Sequence, residues 1–430
     1  MNKIKVILIG AGGRGTTYVR FMKQMGEKYE VVGVAEPIRS RRENIKTMFD
    51  LPESACYNSW DEILAQPKMA DLAIIATMDE MHTAPALQAI DLGYHLLLEK
   101  PVAQTPEECI AIAQAAEKKG VSVLVCHVLR YTPFYKKVKE LVLNGVIGDI
   151  MSAIAVEGVG DKHQSHSFVR GDWHREDETT PMIIAKCCHD LDIIQWIVDK
   201  PCKKVSSFGE LTYFRPENAP EGAPRRCFEQ FCPVREECPY SVEKVYLQDD
   251  GNWMKNAVAR EISKEFNPTL EEIKEGLRRT NFGACVFYAN NDVVDHQIVN
   301  MEFDGGVHAT LNMNAFNEGG RYIRLFGTKG ELYANASDAT ITVYPFGTRE
   351  IQSYNVQETE ESIVGGHGGG DEGIVYELYD YLSGSYTGYC AADIDVSVKN
   401  HLIGFAAEAA RHNDTVERVA DYCKRFGFDY

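Results

Sequence analysis

A glycine-rich turn near the start of the chain carries the clearest chemical signal in the sequence. An apolar run over residues 6–9 ends in Gly10-x-Gly12-x-x-Gly15, and a helix-compatible segment follows over residues 16–25. In this strand–turn–helix context, Gly10 permits a tight turn, Gly12 lets the backbone approach a pyrophosphate, and Gly15 allows close packing of helix on strand. The pattern predicts a dinucleotide site. Its candidate contacts are Gly10, Gly12, Gly13, Arg14 and Gly15.

An acidic residue after the second predicted strand bears on which dinucleotide is bound. Glu36 follows the strand residues 31–35. A carboxylate at this position hydrogen-bonds the ribose 2′-hydroxyl of NAD and repels the 2′-phosphate of NADP. The basic residues Arg39, Arg41 and Arg42 favour NADP instead, although the first turn of a helix is also an ordinary place for charge. We expect NAD rather than NADP.

Two further residues could handle a proton. Lys100 stands beside Glu99 at the end of an apolar strand, where ligands bind in open α/β sheets. Its ammonium group could hydrogen-bond a substrate oxygen, and the alternative is a solvated ion pair. His189 lies in a predicted helix over residues 182–198, on the same face as Lys186 three residues earlier. An imidazole suits a proton relay near neutral pH, and the alternative is a buried core histidine.

These side chains need a scaffold whose strand ends converge. Residues 1–126 alternate short apolar strands with helices, which implies βαβ units and a doubly wound parallel sheet. We therefore expect an α/β fold with an N-terminal Rossmann domain over residues 1–126. The five predicted strands of this domain lie at residues 5–9, 31–35, 72–76, 95–98 and 122–126.

After residue 127 the strands lengthen and the turns shorten, which predicts an α+β domain with a large, mostly antiparallel sheet. We assign this domain to residues 127–395, with a cysteine-containing insertion at about 215–280 and a helical segment over 396–430. Asn290-Asn291-Asp292 and Asp304-Gly305-Gly306 read as hairpin turns. Strands are predicted at 150–158, 203–214, 284–289, 294–303, 307–314 and 321–326.

Charge and composition exclude several classes of partner. The 430 residues carry a formal net charge of −18 and 44% hydrophobic residues, which argues against binding to nucleic acid or an anionic membrane surface. No apolar stretch is long enough for a membrane span or a signal peptide. With twelve cysteines in such a chain, we expect a reducing, cytoplasmic location.

Three of these cysteines are closely spaced in the insertion. Cys227-x4-Cys232-x5-Cys238 does not have the spacing of a standard zinc ribbon, but three thiolates and a fourth ligand would satisfy tetrahedral zinc. Cys188 is the candidate fourth ligand. We favour packed free thiols, and a structural zinc site is the alternative.

Several motifs occur in an order that resembles the Gfo/Idh/MocA oxidoreductase family, which includes glucose–fructose oxidoreductase and inositol dehydrogenase. The resemblance covers nearly the whole chain, and Glu99-Lys100-Pro101 is its most specific part. The motifs are Gly10–Gly15, Ala76-Thr77-x4-His82, Gly93-Tyr94-His95-x3-Glu99-Lys100-Pro101, His127-x2-Arg130-Tyr131, His189-Asp190-Leu191-Asp192 and Gly327-Thr328-Lys329-Gly330-Glu331.

The resemblance implies that Lys100 is catalytic and that His189 contacts the reacting hydroxyl. In the family, the residue four positions before this histidine is often Asp and acts as or supports the base. Here that position is Ala185. Lys186 is the candidate replacement, although a step of one residue rotates a helical side chain by about 100°.

Other candidate residues flank these two. The resemblance implies cofactor contacts for Thr77, His82, Glu99 and Pro101, and a substrate-facing linker at Arg130 and Tyr131; an ordinary helix start is the alternative for His82. Trp173-His174-Arg175 offers an aromatic platform and donors for a sugar-like ligand, or an ordinary loop anchor. A Gly-rich loop over residues 360–373 is expected to bring His367 and Asp371 to the substrate.

Taken with the resemblance, these residues favour an NAD-dependent dehydrogenase that acts on a sugar, polyol or sugar derivative. The alternatives are a redox-neutral glycosidase or lyase that retains NAD, and a non-catalytic nucleotide-linked sensor. Because one face of a sheet must be covered, and the family often covers it by assembly, we also expect a homodimer or homotetramer.

Overall fold

The N-terminal part of the chain forms a six-stranded parallel sheet flanked by helices. The computed structural model describes residues 3–248, 254–356 and 368–430. The strand order is β3-β2-β1-β4-β5-β6, which is the doubly wound arrangement of dinucleotide-binding domains. Its elements are β1 (Ile4–Ile9), α1 (Gly13–Gln24), β2 (Tyr29–Ala35), α2 (Arg39–Phe49), β3 (Cys56–Tyr57), α3 (Trp60–Leu64), β4 (Leu72–Ile75), α4 (Thr83–Asp91), β5 (His95–Leu98), α5 (Pro106–Lys119) and β6 (Val123–Val125).

The apolar runs of the sequence account for this sheet. All four residues of β4 are buried, as are the last four of β1, because helices cover both faces of a parallel sheet. Local signals set the helix ends: the Thr105 side chain caps α5, Pro106 occupies its first position, and Gly120 ends it in the left-handed conformation. The predicted Rossmann fold is confirmed.

The second part of the chain builds a nine-stranded mixed sheet in the order β14-β13-β12-β11-β7-β10-β9-β8-β15. Only the β7–β10 pair is parallel among these described strands. The elements are α6 (Pro133–Leu143), β7 (Ile150–Gly158), α7 (Asp161–His163), α8 (Met182–Ala185), α9 (Cys188–Val198), β8 (Cys202–Glu210), α10 (Met254–Ser263), α11 (Leu270–Arg279), β9 (His296–Phe303), β10 (His308–Asn314), β11 (Gly320–Gly327), β12 (Gly330–Asn335), β13 (Thr340–Pro345), β14 (Gln352–Asn355), α12 (Gly370–Leu382), α13 (Ile394–Asn413), β15 (Glu417–Arg418) and α14 (Val419–Lys424).

The two faces of the large sheet differ in what covers them. Helices α9 and α13 pack on one face, against β7, β8 and β10, where Val299, Leu311 and Leu325 are fully buried. The other face carries exposed apolar side chains. Phe208 on β8 is 69% exposed and pairs across the strands with Ile298 on β9.

Helix α13 joins the two domains. It packs against α5 and β6 of the first domain as well as α9 and β8 of the second. Its residue His401 accepts a hydrogen bond from the backbone N–H of Val102, at 3.1 Å. The C-terminal segment therefore reaches the turn that follows β5.

The predicted helix over residues 182–198 is broken in two. α8 ends at Ala185 and α9 begins at Cys188, because Cys187 departs from helical geometry with φ −84° and ψ 2°. The apolar residues continue on both sides of the break, so periodicity alone predicted one helix. The break separates Lys186 from the face that carries His189.

Another predicted element is wrong, and one predicted segment is subdivided. Residues 284–289 are not a strand, since Val286 and Phe287 pack into a separate apolar cluster and only Ala284 bridges another segment among the described residues. The helical segment expected over residues 396–430 contains two helices, α13 and α14, because Asp414 ends α13 with a positive φ of 53°. The hairpin at residues 304–306 is confirmed, since β9 and β10 pair across it.

Within residues 3–248, 254–356 and 368–430, no helix combines the length and the apolar character needed to cross a membrane.

Candidate active site

The glycine-rich turn forms a cradle at the carboxyl end of β1. Gly10 has a φ of +90°, and a Cβ added there would lie 2.5 Å from the Ala76 carbonyl oxygen. A Cβ at Gly15 would lie 2.1 Å from the Gly10 carbonyl oxygen. By contrast, Gly13 has open space around it, and no described side chain caps the N-terminus of α1. These residues therefore fit a pyrophosphate, which binds where backbone N–H groups at a helix start are accessible.

Glu36 lies beside this cradle at the end of β2. Its two carboxylate oxygens accept hydrogen bonds from the backbone N–H groups of Ala11, at 2.7 Å, and Ile38, at 2.9 Å. The carboxylate is thereby held next to the glycine-rich turn. Arg41 also approaches, since its guanidinium lies 3.8 Å from the Cβ position of Gly12 and donates to the Arg260 carbonyl.

Arg14 ties the start of α1 to the end of β5 and to α12. It forms a two-point ion pair with Asp371, with N–O distances of 2.9 and 2.7 Å, and its Nε donates to Glu99 at 2.7 Å. The Tyr18 hydroxyl donates to the same Glu99 oxygen at 2.6 Å. Although burial opposes ionisation, Arg14 and Lys100 keep the pKa of Glu99 below its usual value.

This network corrects the prediction for Asp371. The side chain does not project toward a substrate, because the buried carboxylate pairs with the guanidinium of the nucleotide cradle. His367, the other candidate in the Gly-rich loop, lies outside the described residues.

Lys100 is held by the end of a helix. Its Nζ donates a 2.9 Å hydrogen bond to the backbone carbonyl of Ala185, the last residue of α8. Carbonyls in the last turn of a helix lack intrahelical partners, and a cation is favourable there. The Lys100–Pro101 peptide bond is cis. The lysine and its neighbouring proline therefore lie at the carboxyl end of β5, as predicted.

Lys186 occupies a different environment from the one that a single helix would give it. Its Nζ lies 3.6 Å from Glu157 on β7. Burial lowers the pKa of Lys186, and Glu157 opposes that shift. The expectation that Lys186 and His189 share one helical face is wrong.

Lys186 is surrounded by a network of ionic groups that was not predicted from the sequence. The Arg321 Nε lies 2.6 Å from Glu157 and 2.9 Å from Asp190. Burial raises the pKa of Asp190 to about 6, although Arg321 opposes this. One sequence signal could have found the network, because Glu157 occupies an inward position of β7 after Ala153 and Ala155.

His189 lies on α9 and is 4% exposed. Its ring packs edge-on against His127, with 6.1 Å between the centroids, and His127 packs in the same way on His401 at 5.7 Å. Burial lowers the pKa of His127 to about 4 and that of His401 to about 3. His189 is therefore supported from behind by two histidines that are neutral at physiological pH.

Arg130 and Tyr131 do not face a substrate. The guanidinium of Arg130 forms a two-point pair with Asp192 on α9, at 2.7 and 2.6 Å, and Asn400 donates to the same carboxylate. Tyr131 is 2% exposed and lies against Gly373 of α12. Asp192 requires a cationic partner because its carboxylate is buried at 1% exposure, and this requirement turns Arg130 inward.

Trp173 and Asp79 meet close to Lys100. The indole N–H of Trp173 donates to the Asp79 carboxylate at 3.0 Å. Burial raises the pKa of Asp79, while His82 and Lys100 oppose the shift. Asp79 was not among the predicted residues, although an acidic residue in the turn after β4 is a recognisable signal.

His82 is fully buried and positions the backbone rather than a ligand. Its ring nitrogens lie 2.7 Å from the Pro101 carbonyl oxygen and 3.2 Å from the Thr77 carbonyl oxygen. Because both ring nitrogens face main-chain carbonyls, neither is directed at a cofactor. The geometry therefore does not support the expected direct contact between His82 and the cofactor. Thr77 uses its hydroxyl to bond the Met81 carbonyl at 3.0 Å, and its backbone N lies 2.9 Å from the Cβ position of Gly10.

The two residues after Trp173 stabilise their own loop. His174 Nδ1 lies 2.8 Å from the Gly171 carbonyl oxygen. Arg175 pairs with Asp177 at the surface, with N–O distances of 2.8 Å. The expected role of Arg175 as a substrate donor is therefore not supported by its geometry.

The proposed zinc ligands do not come together. Cys188 lies on α9 with Lys100 as a charged neighbour, and burial raises its pKa to about 12. Cys227, Cys232 and Cys238 instead line a separate cavity with other residues of the insertion. In the described part of the chain, the one group of three potential ligands with atoms within 4.8 Å is Glu176, Glu408 and His412. The ligand set that included Cys188 is wrong.

Two family models match this two-domain chain, over residues 4–127 and 139–394. The first is described as an oxidoreductase family with an NAD-binding Rossmann fold, and the second as the C-terminal alpha/beta domain of an oxidoreductase family. The chain belongs to the Gfo/Idh/MocA oxidoreductase family. The resemblance drawn from its motifs is thus confirmed.

Members of the Gfo/Idh/MocA family that resemble this chain carry names for different reactions. YteT of Bacillus subtilis (strain 168), whose name describes it as an oxidoreductase, is 26% identical over 85% of this chain and 88% of its own length. Inositol 2-dehydrogenase of Salmonella typhimurium is 24% identical over 48% of this chain and 57% of that protein. The 2,7-anhydro-N-acetylneuraminate hydratase of Escherichia coli (strain K12) is 26% identical over 47% of this chain and 51% of that protein. The chain therefore aligns with about half of each of the last two relatives.

The same fold is found in a solved levoglucosan dehydrogenase, in complex with NADH and levoglucosan. That structure superposes with a TM-score of 0.69 at 15% identity, over 97% of this chain and 100% of the other. At this identity, the similarity establishes the shared architecture of both domains.

Proposed function

We propose that this Gfo/Idh/MocA protein oxidises a hydroxyl group of a sugar, polyol or sugar derivative with NAD as the hydride acceptor. The observation that carries the proposal is the position of the Lys100 ammonium group, which is fixed by Ala185 at the carboxyl end of β5. The glycine-rich cradle lies at the same edge of the parallel sheet. The inositol dehydrogenase and levoglucosan dehydrogenase names among its relatives support a polyhydroxylated substrate.

The cradle of Gly10, Gly12, Gly13 and Gly15 would hold the pyrophosphate, and Glu36 would accept from a ribose hydroxyl. Bound in this way, NAD supplies the acceptor for the hydride that leaves the substrate carbon. Arg14 and Glu99 support the cradle through their mutual ion pair. Two arginines of α2 donate to main-chain carbonyls, Arg42 to that of Glu36 and Arg41 to that of Arg260, and we take these bonds to favour NAD over NADP.

Lys100 and His189 would divide the work on the hydroxyl proton. An ammonium group has three donors, and one of those of Lys100 is used by the Ala185 carbonyl. A remaining donor can bond the substrate oxygen and stabilise the negative charge that develops as its proton leaves. His189 then accepts that proton. Lys186 is assigned no proton transfer, because its ammonium group lies beside Glu157.

Trp173 and Asp79 would form one wall of the substrate cleft. The indole ring offers an apolar face for the C–H surface of a sugar, and its N–H fixes the Asp79 carboxylate. This arrangement leaves a carboxylate oxygen of Asp79 as an acceptor for a second substrate hydroxyl.

The experiment that tests the proposal measures bound and released cofactor. The purified protein is analysed for NAD, then incubated with a panel of sugars, polyols and glycosides with and without added NAD. The dehydrogenase proposal expects NADH to form in proportion to oxidised product. Failure of every substrate in the panel to reduce added NAD, with product nevertheless formed, contradicts it.

The second candidate is a redox-neutral reaction with retained NAD, and the similarity to a hydratase favours it. There, a substrate hydroxyl is oxidised to a ketone, which acidifies the neighbouring C–H bond. A group is then eliminated or water is added, and the ketone is reduced again. The same assay would give product without net NADH and without a requirement for added NAD.

We further propose that the exposed sheet face mediates assembly of a homodimer or homotetramer in the cytoplasm. The paired side chains Phe208 and Ile298 are 69% and 39% exposed, and Ile154 on β7 extends this apolar surface. No disulfide joins any of the twelve cysteines, all of which lie among the described residues, and this is consistent with a reducing location. Light scattering of Phe208→Asp should report a smaller particle than the unmodified protein, while Tyr376→Asp on α12 should leave its mass unchanged.

A further inference from the structure

Three cysteines of the insertion and one from the segment that follows it line one cavity. Cys227, Cys232 and Cys238 are joined there by Cys285, which the sequence spacing did not connect with them. Backbone pairing brings the segments together, since Cys227 N–H donates to the Gly283 carbonyl at 2.9 Å and Cys285 N–H donates to the Arg225 carbonyl at 3.0 Å. The fold thus gathers four thiols from positions up to 58 residues apart in the sequence (285 minus 227).

A backbone donor points at one of these sulfurs. The Val242 N–H donates to the Cys227 Sγ at 3.3 Å. Backbone N–H groups directed at cysteine sulfur are a feature of metal–thiolate centres, where they stabilise the negative charge on sulfur.

A buried cation in the cavity wall needs an anion that the described protein groups do not supply. Arg170 is 2% exposed, and it donates from Nε to the Ala284 carbonyl and from Nη2 to the Tyr240 carbonyl. Among the described residues its Nη1 has no hydrogen-bond partner, and no described carboxylate forms an ion pair with it. Burying an unpaired guanidinium is unfavourable. Four thiolates around a divalent metal or cluster carry a net negative charge that would balance Arg170.

We propose that Cys227, Cys232, Cys238 and Cys285 are the ligands of a metal centre, and that this centre is a [4Fe–4S] cluster. Ligation by four cysteines is shared by structural zinc sites and by such clusters. Zinc–sulfur bonds of about 2.3 Å require the ligand sulfurs to lie about 3.8 Å apart. In the described chain, no three of these sulfurs lie within 4.8 Å of one another, and a cluster holds its cysteines further apart because iron and sulfide lie between them.

The place of the proposed metal centre in the fold indicates that it would position the wall of the candidate substrate cleft. Arg170 ends the π-helical segment Gln164–Arg170, which leads directly to Trp173. Trp173 in turn bonds Asp79 beside Lys100. The metal centre would therefore fix the insertion to the wall of the candidate substrate cleft, and its existence does not depend on which reaction the cleft catalyses.

The test is the metal content of the full chain, expressed with iron and cysteine supplied and purified without oxygen. The proposal expects about four iron and four acid-labile sulfide per chain, with broad visible absorption that bleaches on reduction. Stoichiometric zinc without sulfide would keep the four-thiolate site but overturn the cluster. Absence of both metals, with all four thiols open to alkylation in the folded protein, would overturn the site itself.

Matched cysteine variants locate the centre. Cys285→Ser should lower the iron content by at least about half, since it removes one of four ligands. Cys56→Ser, which changes a half-buried thiol on β3, should keep the full content, and so should Cys188→Ser. Full iron content in Cys285→Ser would overturn the assigned ligand set. If that variant does not fold, the iron and sulfide content of the unmodified protein still tests the proposal.

Discussion

The ammonium group of Lys100 donates a 2.9 Å hydrogen bond to the main-chain carbonyl of Ala185. This contact exists because α8 ends at Ala185, so the carbonyl has no continuing helix to satisfy it. The position that is often acidic in the family is thus occupied by a residue whose backbone, rather than its side chain, meets the lysine. Lys100 is fixed in direction while two of its donors remain for a substrate.

Replacement of Lys100 tests its proposed contact with the reacting oxygen. Lys100→Met should lower kcat by about 10²- to 10⁴-fold, the usual contribution of a positioned proton donor or acceptor. The dissociation constant for NAD, measured by fluorescence titration, should change by less than about threefold, because the proposed contact is to substrate. Lys200→Met serves as the control, and a Lys100→Met enzyme with full kcat would contradict the proposed chemistry.

Removal of the charge on Glu36 tests cofactor choice. Glu36→Gln should reduce the preference for NAD over NADP by about tenfold or more, because a difference of about 1.4 kcal/mol in like-charge repulsion gives that factor. The measurement is kcat/KM with each cofactor. Glu30→Gln, at an exposed position of the same strand, should leave the ratio unchanged; an unaltered ratio in Glu36→Gln would remove this residue from cofactor selection.

The Arg130–Asp192 pair should make a large contribution to stability. Its side chains are 4% and 1% exposed, so Arg130→Met leaves a buried carboxylate near the Asn400 amide, at 2.6 Å, and the His127 Nδ1, at 3.7 Å, without a guanidinium partner. We expect the free energy of unfolding to fall by about 3–5 kcal/mol. Denaturant unfolding of Arg324→Met, which breaks an exposed pair with Glu331, should show a loss below about 1 kcal/mol. Equal losses in the two variants would contradict the difference in burial.

The Arg14–Asp371 pair should couple α12 to the nucleotide cradle. Unfolding of Arg14→Lys, Asp371→Asn and the double variant should reveal a coupling energy of about 1–3 kcal/mol, because the two side chains share a two-point contact. Asp380→Asn on the same helix, combined with Arg14→Lys, should behave additively. Additivity in the first cycle would show that the contact does not join the two segments energetically.

Acid should destabilise the fold through its buried histidines. His127 and His401 have folded pKa values of about 4 and about 3 because of burial, whereas unfolded histidine titrates near 6.5. Below pH 6.5 the unfolded state binds protons that the folded state does not, so stability falls as pH drops from about 6.5 to about 4. The slope for each histidine is on the order of 1 kcal/mol per pH unit.

The pH dependence of Tm measures this effect. His127→Asn should give a shallower decline between pH 6.5 and 4 than the unmodified protein, while His308→Asn at an exposed position of β10 should not. An identical slope in all three proteins would mean that His127 is protonated in the folded state.

The parallel sheet and its ligand-binding edge could be predicted from the sequence because their signals are local. An apolar run buried on both faces identifies β1, and the glycines that follow it are required by close backbone approaches within that turn. The location of Lys100 could also be predicted from a local signal. An apolar strand that ends in Glu-Lys-Pro places its last side chains at the carboxyl edge of the sheet.

The partners of the charged residues could not be predicted in this way. Asp371 binds Arg14 across 357 positions of sequence and Arg130 binds Asp192 across 62. These pairs form because buried charges must be neutralised once the domains pack. Hydrophobic periodicity carries no information about which charged residues will meet. The break at Cys187 is similar, because an apolar residue fits either a continuous helix or a boundary.

The helix end at Ala185 also affects how relatives of this chain should be compared. A comparison that judges catalytic competence only from the side chain at position 185 would class this protein as inactive, since alanine cannot act as a base. A main-chain oxygen, however, is present whatever the residue is. The lysine anchor is therefore insensitive to point substitution at 185, and the geometry of the preceding turn is the property to compare.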